Sequence, residues 1–180
     1  QEVGRLTRLV DDLRLLSLSD LGALDYRFAP LDLGRLVAQQ LDDLAHQHWT
    51  VQRELTEDLA VRADADRLRQ VLANLAQNTL RYSTPPVTLR VCVARDGRYA
   101  RLSWEDSPPG VPDDTLPRLT ERLYRVDASR ASASGGSGLG LAIARAIVEG
   151  HGGRMQASHS ALGGLRWDIW LPLHMEPAHD

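Results

Sequence analysis

A glycine-rich stretch constrains this chain more than any other feature of its sequence. Residues 135–141 read Gly-Gly-Ser-Gly-Leu-Gly-Leu, so four glycines fall within six residues. An apolar-periodic run follows directly and predicts a helix that ends near Gly150. Glycine lets backbone N–H groups approach an anion closely, and a helix start adds unpaired N–H groups with partial positive charge. The stretch therefore predicts a phosphate-binding loop or, in the simpler interpretation, a flexible surface linker.

Composition and context exclude three common classes of phosphate-binding loop. A P-loop needs a lysine after its last glycine, and a protein-kinase fold needs a lysine on a strand. The chain contains no lysine, and all 21 of its lysine-or-arginine residues are arginine. A dinucleotide-binding loop follows a strand directly, whereas residues 126–134 are mostly small and polar and indicate a loop.

The whole sequence is typical of one globular domain with a possible appendage. Its 180 residues carry a net charge of −3, so there is no strongly basic surface for nucleic acid. There is no apolar run long enough to span a membrane and no signal peptide. Cys92 is the single cysteine, which excludes an internal disulfide. Because the chain opens with Gln1 inside a helical pattern, we expect it to be part of a longer protein.

Periodicity and turn signals predict an alternation of helices and strands. Helices are predicted over 2–21, 33–48, 64–82, 116–124 and 141–150, and strands over 25–29, 49–55, 59–63, 87–94, 99–105, 154–158 and 165–173. Two of the helices carry further information. In the first, Val3, Leu6, Val10 and Leu13 follow the a–d spacing that favours a helical bundle partner. In the third, Asn74 and Asn78 lie four residues apart and so share one face, which predicts a polar cavity wall.

Taken in order, these segments resemble the motifs of sensor histidine kinases of two-component signalling. Residues 66–78 resemble the N box, 104–112 the first glycine box, 116–125 the F box and 136–141 the second glycine box. Residues 5–13 resemble the second helix of the family's dimerisation hairpin. The residues at 107–109 and 135–141 most resemble those of envelope-stress sensor kinases.

The resemblance implies a fold and a domain organisation. The fold is a Bergerat-type two-layer α/β sandwich, as in the histidine kinase and related ATPases, with a mixed sheet covered by helices on one face. One helix of a dimerisation bundle precedes it. We therefore expect residues 1–22 to be the second helix of a dimerisation and phosphoacceptor hairpin, and residues 23–180 to be a catalytic ATP-binding domain.

The resemblance also implies ATP and Mg²⁺ as cofactors, held between the N box, the first glycine box and a lid over about residues 120–137. Asn78 would bind the metal, since an amide oxygen suits Mg²⁺, and Asp106 would accept the amino group of adenine. The residues expected to act in catalysis are Asn74, Asn78 and Arg81. Those expected to contact the nucleotide are these three with Tyr82, Asp106, Gly110, Val111, Arg125, Arg130, Gly136, Ser137, Gly138, Leu139, Gly140 and Leu141.

Two departures from the family pattern bear on the nucleotide site. Pro108 occupies a glycine position of the first glycine box and removes a backbone N–H. Thr120 and Leu123 occupy the aromatic positions of the F box. Lower affinity for ATP and weaker docking of the lid are the expected consequences.

Three functions remain open from the sequence. The first is donation of the γ-phosphoryl group of ATP to a histidine on a dimerisation domain, for relay to the receiver domain of a response regulator. The second is ATP hydrolysis by a related ATPase of the same fold, and the third is a non-catalytic interaction domain. The hydrolytic relatives use a glutamate where this chain has Asn74, which cannot act as a base. None of the six histidines has the sequence context of the family's acceptor.

As partners we expect the response regulator, the protein's own dimerisation domain and a second copy in a homodimer, but no nucleic acid. The resemblance further implies a cytoplasmic domain of an inner-membrane sensor, with no membrane contact by these residues.

Overall fold

The computed structural model describes residues 2–44, 47–126 and 137–174. In this part of the chain there are four α-helices, seven β-strands and a one-turn 3₁₀ helix, Leu116–Arg118. The helices are α1 (Glu2–Asp20), α2 (Leu33–Asp43), α3 (Ala65–Tyr82) and α4 (Gly140–Gly150). The strands are β1 (Ala29–Asp32), β2 (Thr50–Leu55), β3 (Ala60–Ala63), β4 (Thr88–Asp96), β5 (Tyr99–Asp106), β6 (Arg154–His159) and β7 (Leu165–Pro172).

Five of the strands form a mixed sheet in the order β2-β4-β5-β7-β6. β2 runs parallel to β4, and the other neighbours are antiparallel. The predicted hairpin around Gly97 joins β4 to β5, and Gly97 takes the positive φ of 60° that such a tight turn favours. β1 and β3 form a separate antiparallel pair.

One hydrophobic core joins the sheet to the helices. Alternate residues of the strands, such as Leu89, Val91 and Trp104, are buried together with apolar residues of α2, α3 and α4. Residues between them, such as Arg90 and Arg101, are only half-buried. This alternation is typical of a sheet that is packed on one face. The predicted two-layer α/β sandwich with a mixed sheet is confirmed.

Two predicted elements differ from the structure. The strand predicted at 25–29 lies instead at Ala29–Asp32 and includes Pro30. Proline is tolerated there because a two-stranded sheet consists of edge strands, which can leave an N–H position unpaired. The helix predicted at 116–124 is a single 3₁₀ turn. Leu123 has a φ of 62°, which is incompatible with continuing a right-handed helix.

His151 joins the end of α4 to the start of α3. Its Nδ1 donates to the Ile147 carbonyl over 2.7 Å, and its Nε2 accepts from the Asp64 N–H over 3.0 Å. This pair of bonds requires a neutral ring, and burial lowers the pKa of His151 in the same sense. Asp64 in turn caps α3, as its carboxylate accepts from the N–H groups of Asp66 and Arg67. His151 is thus structural, as its position beside a helix end predicts.

Helix α1 is buried at one end and exposed at the other. Near its C-terminus Leu15 and Leu16 lie in the core, where α1 packs on α4. The predicted bundle stripe is exposed: Val3 by 77%, Leu6 by 61%, Val10 by 62% and Leu13 by 43%. No helix in the described part of the chain is long and apolar enough to cross a membrane.

Candidate functional site

A pocket opens between the C-terminal half of α3, the turn after β5, the segment 119–126 and the start of α4. It encloses a cavity of about 110 Å³. Its lining is largely apolar, with a few polar groups among the apolar ones. The lining residues are Asn78, Tyr82, Ser83, Asp106, Pro109, Gly110, Val111, Leu119, Tyr124, Arg125, Val126, Leu141 and Leu165. A concave, mostly apolar site with few polar groups is typical of small-molecule binding.

Asp106 is the buried acid of this pocket, at the end of β5. Only 4% of the residue is exposed. One carboxylate oxygen accepts from the Leu165 N–H over 2.8 Å, and the other accepts from the Thr79 hydroxyl over 2.9 Å. Burial raises the pKa of Asp106, although its bonds with Leu165, Thr79 and Ser83 act in the opposite direction. The carboxylate is therefore held rigidly at the pocket wall, at some cost to its charged form.

Two glycines make this arrangement possible, Gly164 between β6 and β7 and Gly110 in the turn after β5. A Cβ on Gly164 would collide with the carbonyl oxygens of Asp106 and Ser107 and with the Asp106 carboxylate. A Cβ on Gly110 would lie 3.3 Å from the Gly164 carbonyl oxygen. The absence of side chains at these two positions lets the β6–β7 turn close directly over the end of β5, which brings the Leu165 N–H to the acid.

Helix α3 presents its asparagine face to the pocket and to α4. Leu68, Leu72 and Leu75 bury the opposite side of the helix. The Asn78 side chain lines the pocket and forms no hydrogen bond with other residues in the described part of the chain. Asn74, one turn earlier, donates its amide N–H to the Gly140 carbonyl over 2.9 Å. The two asparagine side chains thus have different roles. Asn74 links α3 to the start of α4 by a hydrogen bond, whereas Asn78 is available to contact a ligand in the pocket.

The described end of the glycine-rich stretch is fixed to the segment that precedes it. The Leu123 N–H donates to the Gly138 carbonyl over 2.9 Å. Gly138 has a φ of 72°, and a Cβ there would lie 3.1 Å from the Leu123 Cα. Ser137 accepts the Leu139 N–H at the entry to α4, which begins at Gly140. The two ends of the predicted lid therefore meet at one point.

Helix α1 contacts both ends of the same segment. The Asp20 carboxylate forms an ion pair with Arg122 over 2.6 Å, and Asp12 forms a hydrogen bond with Ser137. Burial raises the pKa of Asp12, and the bond to Ser137 opposes this rise.

A comparison with known protein families assigns this chain to one of them. Residues 63–175 match the model of the family described as histidine kinase-, DNA gyrase B-, and HSP90-like ATPase. The chain belongs to this family. The match begins at the end of β3 and includes α3, the sheet strands β4–β7 and α4, so it contains most of the pocket. The predicted family is confirmed, and membership of it implies that this domain binds ATP.

The relatives of this ATPase-family domain include sensor histidine kinases. The chain is 45% identical over 179 residues to the signal transduction histidine-protein kinase BaeS of Escherichia coli K12, covering 97% of this chain and 38% of BaeS. Among solved structures, the histidine kinase AdeS of Acinetobacter baumannii aligns with a TM-score of 0.76 at 26% identity, over 96% of this chain and 81% of the AdeS chain. A structure described as full-length ShkA in complex with AMPPNP aligns with a TM-score of 0.78 at 27% identity, over 98% of this chain and 38% of that chain. This domain thus spans well under half of the length of BaeS.

The site residues predicted from the sequence do not all lie in the pocket of this ATPase-family domain. Those lining it are Asn78, Tyr82, Asp106, Gly110, Val111, Arg125 and Leu141. Asn74 and Arg81 are not among the lining residues, and Arg81 is exposed. Leu139 is fully buried in the core, so that only its backbone is available to a ligand. Arg130, Gly136 and most of the predicted lid lie outside the described residues.

Several lining residues were not predicted. Leu119 and Tyr124 come from the segment expected to be a helix, and Val126 comes from the loop predicted after it. Thr79 and Trp104, which are linked to Asp106, look like ordinary buried residues of α3 and β5 in the sequence. Their polar atoms become informative only when the two elements are brought together.

Proposed function

We propose that this chain is the ATP-binding catalytic part of a two-component sensor histidine kinase, which donates the γ-phosphoryl group of Mg·ATP to a histidine on a dimerisation domain. The observation that carries the proposal is the convergence of Asn78, Asp106 and the start of α4 on one pocket. Similarity to named histidine kinases over almost the whole chain supports it.

The base of the nucleotide fits the end of the pocket that contains Asp106. A buried carboxylate fixed by protein donors is a strong acceptor for the exocyclic amino group of adenine. Leu119, Leu165 and Val111 offer apolar surface for the faces of the ring, and Tyr82 at the pocket rim can stack on the base or ribose. Gly110 allows the backbone to pass close to the base.

The phosphates fit the opposite end, where α4 begins. Gly138 and Gly140 leave backbone groups accessible at a helix start, a place that favours anions. Arg125 lines the pocket, and Arg81 lies on the last turn of α3. In this proposal these arginines and Arg130 contact phosphate oxygens, with Gly136, Ser137, Leu139 and Leu141 completing the loop.

Asn78 suits the metal that accompanies ATP in such sites. Its side-chain oxygen is a hard ligand, it lines the pocket, and it makes no hydrogen bond with the described residues. Bound Mg²⁺ would supply positive charge between the phosphates. The contribution of the chain is to position this single amide oxygen beside the phosphates.

Transfer is favoured over hydrolysis by the chemistry of Asn74. An amide cannot accept a proton from water, and this amide is engaged with the Gly140 carbonyl. Phosphoryl transfer requires mainly positioning and charge stabilisation from the protein. We therefore expect slow ATP turnover by the domain alone.

The same proposal places residues 1–22 in a dimerisation and phosphoacceptor hairpin and residues 23–180 in the catalytic domain. The exposed stripe of Val3, Leu6, Val10 and Leu13 supports this, because apolar residues at a–d spacing are the ones that pack against a helical partner in a bundle. In the full protein, a homodimer would phosphorylate its own histidine and pass the group to a response regulator. The domain would lie in the cytoplasm, as part of an inner-membrane sensor.

The test is to compare Asn78→Ala with Gln77→Ala, its exposed neighbour on α3. Asn78→Ala is expected to weaken Mg·ATP binding about tenfold or more and to abolish labelling of an added histidine acceptor domain by radiolabelled ATP. Gln77→Ala should behave as the native chain, and circular dichroism should show both variants folded. Normal transfer by Asn78→Ala would contradict the proposed metal role. Label on the native chain without an acceptor domain would contradict the proposed division of donor and acceptor.

A further inference from the structure

A chain of three buried side chains leads from the core to the pocket through Thr79. The Trp104 Nε1–H donates to the Thr79 hydroxyl oxygen over 3.1 Å, and that hydroxyl donates to the Asp106 carboxylate over 2.9 Å. Trp104 is 1% exposed and Thr79 is fully buried. Water therefore cannot substitute for either bond.

The direction of these bonds is fixed by chemistry. An indole N–H can only donate, so Thr79 must accept from Trp104. The threonine hydroxyl has one proton, and the bond geometry sends it to Asp106. A proton on the Asp106 oxygen that faces Thr79 would lie against the hydroxyl proton of Thr79. The two hydrogen bonds therefore favour an ionised Asp106, which acts only as an acceptor.

The remaining hydrogen-bonding capacity of Asp106 is small. A carboxylate offers about four acceptor positions. Leu165, Thr79 and Ser83 each donate to it. Since Asp106 also lines the pocket, the position left open faces the ligand.

From this arrangement we infer that Thr79, held in place by Trp104, is a specificity-determining positioning residue: it keeps Asp106 as an obligate acceptor, so that the site selects a purine with an amino group at C6. The inference rests on the proposed adenine-nucleotide site. A purine with a carbonyl oxygen at C6 would place an acceptor against an acceptor, which is unfavourable in a buried site. Thr79 does not line the pocket, so it acts through Asp106 and needs no contact with the nucleotide.

The experiment compares Thr79→Val, Thr79→Ser and Thr115→Val by titration with Mg·ATP and with Mg·ITP, which carries an oxygen in place of the amino group. Valine preserves the shape of threonine and removes the hydroxyl. Thr115 is a matched control, as it is 6% exposed and its hydroxyl contacts Asp114 and not Asp106. Unfolding curves of all variants establish that they are folded.

Thr79→Val is expected to weaken ATP binding about tenfold and to lower the preference for ATP over ITP by a similar factor. Thr79→Ser should restore both quantities, and Thr115→Val should leave both unchanged. Equal ATP affinity and equal preference in Thr79→Val and the native chain would overturn the inference while leaving the proposed function intact. If the native chain bound neither nucleotide, the proposed function itself would be wrong. Should Thr79→Val not fold, Thr79→Ser and Trp104→Phe carry the test: the inference then requires that Trp104→Phe lower the preference for ATP and that Thr79→Ser retain it.

Discussion

At the scale of single residues, the buried Asp106 imposes a cost on the fold, and in the proposed function it contacts the adenine base. Its carboxylate is buried, and desolvation raises its pKa above the ordinary value of 3.8. A group whose pKa is raised in the folded state favours the fold below its unfolded pKa, and this contribution is lost as the pH rises through the folded value. At neutral pH the charged carboxylate of Asp106 therefore contributes less to the stability of the fold than its protonated form does at low pH.

We predict that Asp106→Asn separates these two effects. The variant no longer titrates at this position, so it should lose part of the native decline in stability between the acid range and neutrality. Its affinity for Mg·ATP should fall by about 1–3 kcal/mol, since a hydrogen bond to a charged acceptor is lost. Urea unfolding at several pH values and calorimetric titration measure the two quantities. An unchanged decline in stability with pH, together with unchanged affinity for Mg·ATP, would refute the assignment.

At the scale of elements, the start of α4 depends more on the conformation of Gly138 than on that of Gly140. Gly138 has a positive φ and lies against the backbone of Leu123. Gly140 lies at the first position of α4, where an added Cβ would meet the Asn74 side chain at an ordinary contact distance of 3.5 Å. The two glycines of the same motif are therefore unequal.

We predict that Gly138→Ala destabilises the domain by about 1–2 kcal/mol, the cost of a non-glycine residue in the left-handed region, and weakens ATP binding. Gly140→Ala should change the free energy of unfolding by less than about 0.5 kcal/mol, because alanine is acceptable at a helix start. Denaturant melts and hydrogen exchange at Leu123 and its neighbours provide the measurement. Equal effects of the two substitutions would show that the conformation of Gly138 is not the controlling feature.

The sequence predicts elements that are specified locally. α3 has its cap, its apolar face and its two asparagines within one continuous segment, and the hairpin at Gly97 is set by a dipeptide. The order of the sheet, the place of β1 and the 3₁₀ turn depend on pairing and packing between distant segments, and periodicity does not contain that information. The site follows the same division. Asn78 and Asp106 belong to recognisable motifs, whereas Thr79 acquires its role only when β5 packs against α3.

At the scale of the whole molecule, α1 is buried in the core at its C-terminal end and exposed at its N-terminal end. Leu16 is 1% exposed and lies in the core, whereas Leu6 and Val10 are more than half exposed. If this exposed stripe is the interface of the proposed homodimer, the chain should self-associate as its concentration rises. We predict that Leu6→Glu with Val10→Glu abolishes this self-association and leaves the unfolding of the domain unchanged. Leu16→Ala, a buried substitution on the same helix, should instead cost about 2–5 kcal/mol. Analytical ultracentrifugation and thermal melts distinguish them. Persistent association of the double variant would exclude this stripe as the interface.

The bond between the Leu123 N–H and the Gly138 carbonyl also bears on how such a chain can evolve. It joins Leu123 and Gly138, the two residues that flank the segment 124–137. The entropy of closing a loop grows only with the logarithm of its length, so doubling this segment would cost about 0.6 kcal/mol. Insertions and deletions between the fixed ends are therefore thermodynamically cheap, whereas those in α3 or α4 would shift the register of every buried side chain. Length variation among descendants of this sequence should accumulate beside the proposed nucleotide pocket, and the spacing that holds Asn78 and Asp106 in place should stay constant.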